Sequence, residues 1–257
     1  MNLDINNKVI FITGSSRGIG NGIARVLLNE GCKIIINGKN EERLEKETTK
    51  LNKIYPDKII SVLGDVNEGV VIEEVIKNSF NKWGSIDGIV ANAGAIKSVH
   101  DWEINEDDWN WYFTNNFSVT YNAIQSLIPF LSKSQGSIVT IGSIAGLEDV
   151  GAPLPYASSK AALLAYTKSL SKRLANKKIR VNMVSPGNIL FPDGNWDKKQ
   201  KIDIDDIKKM LNEKVPLKKF GTPEDIGNMV AFLLSPRASF ITGGNFIIDG
   251  GQTNSLN

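Results

Sequence analysis

Short runs of consecutive apolar residues alternate along the chain with longer segments whose apolar positions recur every three or four residues. Residues 9–13, 33–37, 59–63, 86–91, 137–141, 179–185 and 246–248 are of the first kind and predict strands. Residues 20–30, 41–52, 69–82, 106–131, 155–176 and 223–234 are of the second kind and predict helices; in the first of them Ile23, Val26 and Leu27 fall on one face. The strand runs are nearly all apolar instead of alternating with polar residues, as expected where both faces of a sheet are covered. Strands separated by helices of this length imply βαβ units and a parallel sheet. The expectation is an α/β fold: one doubly wound domain over residues 1–257 with a seven-stranded parallel sheet. No repeat, linker or low-complexity tract interrupts it. Residues 191–201, polar and carrying Pro192, Gly194 and Trp196, are expected to be irregular.

The turn between the first strand and the first helix reads Thr13-Gly14-Ser15-Ser16-Arg17-Gly18-Ile19-Gly20. Glycines there let the backbone approach a pyrophosphate, and the helix N-terminus adds free N–H groups and a partial positive charge. The second strand ends in Asn37-Gly38-Lys39-Asn40, with no acid before Glu41. A carboxylate at this place would bind the ribose hydroxyls of NAD and repel a 2′-phosphate. Lys39 and Arg17 without such a carboxylate favour NADP over NAD; the alternative is that both cations are plain surface.

Composition removes other classes. The 257 residues hold 30 basic and 28 acidic side chains, a net charge of +2, which gives no field for nucleic acid or membrane. Cys32 is the one cysteine, so no intramolecular disulfide forms, and its flanks predict a buried thiol. With His100 as the one histidine, the ordinary zinc sites are out of reach; His100 is read as a loop residue, with substrate contact as the alternative. No segment resembles a signal peptide, and no apolar run reaches the ~18 residues of a membrane span. A soluble, cytoplasmic protein is expected.

Tyr156 and Lys160 lie four apart in a predicted helix and share a face. A neighbouring ammonium favours the phenolate, so the pair suits proton exchange with a ketone or alcohol oxygen. Ser143 follows the fifth strand, Ala91-Asn92-Ala93-Gly94 closes the fourth, and Ser185-Pro186-Gly187 closes the sixth. In a doubly wound sheet these turns open on one crevice.

Taken together, these motifs closely resemble the short-chain dehydrogenase/reductase family in its compact one-domain, Rossmann-type form. The resemblance runs from Lys8 to about Gln252 and includes Asp65-Val66, Tyr156-Ala-Ser-Ser-Lys160 and Ile248-Asp-Gly-Gly251. It implies that Tyr156 is the acid–base, that Lys160 holds the nicotinamide ribose and lowers the tyrosine pKa, and that Ser143 binds the substrate oxygen. Asn116, preferred by spacing over Asn115, would support a water relay to the lysine. The cofactor would lie along Gly14, Ser16, Arg17, Gly18, Ile19, Gly20 and Lys39, with Asp65 and Val66 at the adenine. Asn92, Ala93 and Gly94 would adjoin its ribose, and Pro186, Gly187 and Ile189 its nicotinamide. Two departures stand out: Ala91 where the family often has asparagine, and Phe191 where it often has a threonine that bonds the nicotinamide amide. Residues 188–215 would be a substrate lid, longer than in the family's fatty-acid reductases.

The nearest likeness is to 3-oxoacyl-acyl-carrier-protein reductases, with Lys172, Arg173, Lys177 and Lys178 as a candidate carrier dock. A sugar or polyol dehydrogenase with Asp193, Asn195 and Trp196 lining the lid is the second reading, and a non-catalytic cofactor-binding regulator the third. The joint presence of Ser143, Tyr156 and Lys160 favours catalysis. Phe113, Phe117, Tyr121, Leu163, Leu164 and Tyr166 on the two long helices suggest a homotetramer or homodimer.

Overall fold

The computed structural model of the chain describes residues 1–97 and 102–254. Seven strands, β1 (Val9–Ile12), β2 (Lys33–Gly38), β3 (Ile59–Leu63), β4 (Gly88–Ala91), β5 (Ser137–Ile141), β6 (Arg180–Pro186) and β7 (Asn245–Ile248), form one sheet in the order β3-β2-β1-β4-β5-β6-β7. Every pairing is parallel. The order reverses direction between β1 and β4, and this is where a doubly wound sheet opens a crevice at its carboxyl edge.

Alternate strand residues feed two separate cores. Ile10, Ile12, Ile34, Ile36, Val139 and Val184 point to one face, where α1 (Gly18–Asn29), α2 (Glu41–Ile54) and α9 (Pro223–Leu234) bring Leu27, Leu51 and Val230. Val9, Phe11, Ile35, Ile89, Ile138 and Val181 point to the other, covered by α3 (Gly69–Trp83), α5 (Val119–Ser134) and α6 (Leu154–Leu174) through Val75, Leu127 and Leu170. The unbroken apolar runs are thus explained by burial on both sides. Cys32 is buried in the first core, and burial pushes its thiol up to about 12, so it stays protonated.

Two segments differ from expectation. The single helix expected at 106–131 is α4 (Glu106–Phe113), a π-helical turn over Thr114–Ser118, and α5 in one continuous run. The irregular stretch is not irregular: it contains α7 (Asn195–Ile202), followed at once by α8 (Ile204–Lys214). No residue of α7 is buried, so it lacks the apolar stripe that betrays a helix in sequence; α8 has a short one, Ile204, Ile207 and Leu211, of which Ile207 is buried. Polar devices support both. The Asp203 carboxylate accepts the N–H groups of Asp205 and Asp206, and Lys201 pairs with Asp197 one turn away. Leu190 N–H and Gly221 N–H bond Gly221 and Asn188 carbonyls at 2.9 and 3.0 Å, which ties the two ends of this excursion together. Among the described residues no helix is long and apolar enough to cross a membrane.

Candidate active site

The turn after β1 is held by its neighbours. Asn37, buried at the end of β2, accepts the Gly14 N–H (3.2 Å) and donates to the carbonyls of Val62 and Gly64 (3.1 Å each). Thr13 Oγ1 accepts the N–H groups of Asn92 (2.9 Å) and Ala93 (2.8 Å), while the Asn92 amide donates to the Thr13 and Gly14 carbonyls. Gly14 and Gly18 lie at φ +60° and +59°, and a Cβ on Gly14 would stand 3.1 Å from Ala93 Cα. Only glycine takes this backbone without strain. Thr13 and Asn37 do the positioning, and neither stood out in the sequence beyond lying at a strand end.

Helix α1 then starts at Gly18 with no side-chain cap from Arg17. Its first-turn amides suit a pyrophosphate, and Gly14 and Gly20 let the turn pack closely on Ala93 and Asn92, so the residues present fit a dinucleotide. Arg17 is turned toward the excursion after β6, where Nη1 donates to the Asp193 carbonyl at 3.3 Å. Phe191 lies against the same turn: its ring atoms stand 2.9–3.2 Å from where a Gly18 Cβ would be. Ser16 Oγ is 2.6 Å from a Cβ on Gly38. Lys39 forms an ion pair with Asp65. Burial alone would raise the Asp65 carboxyl, but hydrogen bonds from Lys39 and the Asn67 N–H outweigh it and hold it below the ordinary carboxylate value. Val66 and Ile189 are buried, and Ile189 packs on Gly221.

Tyr156, Lys160, Ser143 and Asn116 converge at the next part of the crevice. Ser143, just beyond β5, accepts the Ala145 N–H (3.2 Å), and its hydroxyl is near enough to the Tyr156 phenol to favour the ionised form. Lys160, in the same face of α6, is only 4% exposed; Nζ donates to the Ile141 carbonyl (3.0 Å) and lies 5.8 Å from the Tyr156 ring centre. Asn116 sits in the π-helical turn, fully buried. It accepts the Ala95 N–H (3.1 Å) and donates to the Ala95 and Tyr112 carbonyls (2.9 and 3.0 Å). Asn115 instead bonds Trp111 in the preceding turn. Gly94 lies between them: a Cβ there would stand 3.0 Å from Asn116 Oδ1 and 3.4 Å from Lys160 Nζ. Tyr112, which the sequence did not single out, packs its ring edge-on to Tyr156 at 6.3 Å.

Burial pushes the Tyr156 phenol above its ordinary value, the Ser143 hydrogen bond pulls it back, and Tyr112 raises it again; Lys160 is not among the groups that act on it. Burial drives the Lys160 ammonium down to about 8.

Elsewhere on the rim, Gly187 lets the turn after β7 come close, since a Cβ on it would stand 2.6 Å from Asp249 Cβ. The proposed carrier dock does not share this rim. Lys172, Arg173, Lys177 and Lys178 are exposed at the far end of α6, just before β6 begins. At about 1.5 Å per residue this is about 25 Å from Tyr156. His100 lies outside the described residues.

A family model described as enoyl-(acyl carrier protein) reductase matches residues 14–253. The 3-oxoacyl-[acyl-carrier-protein] reductase of Chlamydia muridarum is 34% identical over 98% of this chain and 100% of its own length. The 2,3-dihydro-2,3-dihydroxybenzoate dehydrogenase of Bacillus subtilis is 34% identical over 97% of each. Among solved structures, L-sorbose reductase from Gluconobacter frateurii, complexed with NADPH and L-sorbose, superposes with a TM-score of 0.92 at 29% identity over 100% of both chains. With the parallel sheet and these relatives together, the chain belongs to the short-chain dehydrogenase/reductase family and is an NAD(P)-dependent oxidoreductase acting on CH–OH groups.

Proposed function

We propose that this enzyme interconverts a ketone and a secondary alcohol with NADP(H), using Tyr156 as the acid–base. The observation that carries the reading is the convergence of Tyr156, half-buried and beside Ser143, with Lys160 and Asn116 behind it. The nicotinamide, when bound, supplies or accepts the hydride. Tyr156 gives its proton to the ketone oxygen as charge builds there, or takes it from the alcohol in reverse. Ser143 donates to the same oxygen and stabilises its developing charge. Lys160, released from the Ile141 carbonyl, serves the ribose and the phenolate. Asn116 keeps the Ala95 backbone and the lysine end of the site in place, at the start of a water route to Tyr156. Gly14, Ser16, Gly18, Ile19 and Gly20 would hold the phosphates, Asp65 and Val66 the adenine, Asn92, Ala93 and Gly94 a ribose, and Pro186, Gly187 and Ile189 the nicotinamide.

The chemistry at the end of β2 supports NADP. No residue at the end of β2 is acidic, the carboxylate beside it, Asp65, is held by Lys39, and Lys39 would serve a 2′-phosphate on leaving Asp65. Segment 188–215, with α7 and α8, is the substrate lid on this reading. The relatives named above carry three substrate classes, a 3-oxoacyl-acyl-carrier-protein, a dihydrodiol and a keto-sugar, and a carbonyl or alcohol group is common to them. The decisive assay is loss of NADPH absorbance with purified protein and a panel of β-ketoesters, diketones and keto-sugars. No turnover across the panel would leave the fold without this function and favour a cofactor-binding regulator.

A cytoplasmic homotetramer or homodimer fits the surface. The rings of Phe113, Phe117, Tyr121 and Tyr166 form a chain of contacts at 5.7–6.4 Å on the outer side of α4–α6, and Tyr121 remains 44% exposed. Leu163, by contrast, is fully in the core. Sedimentation at micromolar concentration should give a dimer or tetramer; a monomer would refute it.

A further inference from the structure

A cavity of about 460 Å³ opens between residues 148–151, the C-terminal end of α8 and residues 251–254. None of Ser143, Tyr156 or Lys160 lines it, yet two of its walls lead straight to them. Residues 148–151 connect the Ser143 turn to the start of α6, five residues before Tyr156. On the opposite wall Gln252 reaches under the turn that follows β6: its Oε1 lies 3.2 Å from where a Gly187 Cβ would be.

The chemistry of the walls is one-sided. Asp149 and Glu213 join Glu148 in presenting carboxylates, against one ammonium from Lys214, with the Asn212 and Gln252 amides beside them. Asp149 and Glu148 each already accept backbone N–H groups, from Gly151 and Asn254. Ionised carboxylates only accept hydrogen bonds, so they favour donors and repel phosphate or carboxylate ligands. Gln252 adds a more specific demand. Its Oε1 is buried and, among the described residues, has no hydrogen-bond partner. Buried polar atoms left in this state are rare and costly. Gln252 also lines the cavity, so a turn of its side chain out from under Gly187 brings this unpaired amide to the ligand, where a hydroxyl, both donor and acceptor, satisfies either end of it.

Resting on the oxidoreductase reading above, we propose that this cavity is the outer part of the substrate site and takes the hydroxylated tail of a small, uncharged polyhydroxy ketone, with Gln252 recognising a hydroxyl. An acyl chain finds little apolar wall beside Val150 and Pro216. An acyl carrier or coenzyme, with its phosphates, meets three carboxylates here, and the basic patch that would dock it is at the other end of α6.

The test compares kcat/KM with NADPH for L-sorbose, for an unhydroxylated ketone of the same chain length, and for acetoacetyl-coenzyme A. The keto-sugar should lead both by at least about tenfold, the scale on which a site built for a hydroxyl rejects its analogue. In Gln252→Leu the keto-sugar should lose at least about ten times more than the plain ketone, mainly through KM. Glu213→Lys, an exposed change that does not threaten folding, should raise the acetoacetyl-coenzyme A value severalfold. Preference for the plain ketone or the thioester, or an unchanged keto-sugar ratio in Gln252→Leu, overturns the proposal while leaving the oxidoreductase reading intact. Absence of turnover with every ketone overturns both.

Discussion

Replacing Lys160 with methionine should stabilise the protein at neutral pH while removing its activity. The ammonium is 4% exposed and no carboxylate offsets its burial, which lowers it from 10.5 to about 8. At ~1.4 kcal/mol for each pH unit, the folded chain bears a penalty of about 3 kcal/mol at pH 7. Below about 8 both folded and unfolded chains carry the proton, and the penalty is whole. Between 8 and 10.5 the folded chain releases it first, the unfolded chain binds more protons, and stability rises with pH. Methionine matches the length of the stem and removes the charge. It also removes the donor to the Ile141 carbonyl (3.0 Å), a loss of about 1 kcal/mol at any pH. The variant should therefore gain about 2 kcal/mol at pH 7, a rise in Tm of about 5 °C for a chain of this size, and the gain should shrink to about nothing by pH 10. Urea unfolding of both proteins at the two pH values measures it, and ionisations elsewhere cancel in the difference. A Lys160→Met protein less stable than the parent at pH 7, or a difference that ignores pH, would refute the reasoning.

Two further outcomes follow from the same geometry. Asn116→Leu keeps the volume but strips three hydrogen bonds and leaves the Ala95 backbone groups unpaired, so it should cost about 3 kcal/mol in urea unfolding and at least tenfold in kcat. Lys39→Ala should raise KM for NADPH at least about tenfold and leave that for NADH nearly unchanged; equal effects on both would remove the argument for NADP.

The fold was legible because its signal is burial on both faces. Runs such as Lys33 to Gly38 have few polar positions, and a parallel sheet between helices is the structure that accommodates them. What stayed hidden has no such signal. The π-helical turn at Thr114–Ser118 leaves the apolar rhythm of the long helix intact, so the sequence shows no break. Helix α7 has no buried residue, and the apolar stripe of α8, Ile204, Ile207 and Leu211, is short and set among charges. At the candidate site, spacing singled out Asn116 over Asn115, and Asn116 is the one turned inward. Tyr112 and Asn37 act through contacts with residues far along the chain, which no local pattern records. Phe191 stood out as a departure, but that its ring rests on Gly18 is a fact of packing alone.

The central claim is that Tyr156 exchanges the proton while hydride moves between nicotinamide and substrate. The most direct measurement is transfer of deuterium from labelled NADPH to the carbonyl carbon of a reduced ketone, followed by mass spectrometry in the parent protein and in Tyr156→Phe. The account predicts label in the parent's product and a rate lower by about a hundredfold or more in the variant. Undiminished transfer in Tyr156→Phe would contradict it.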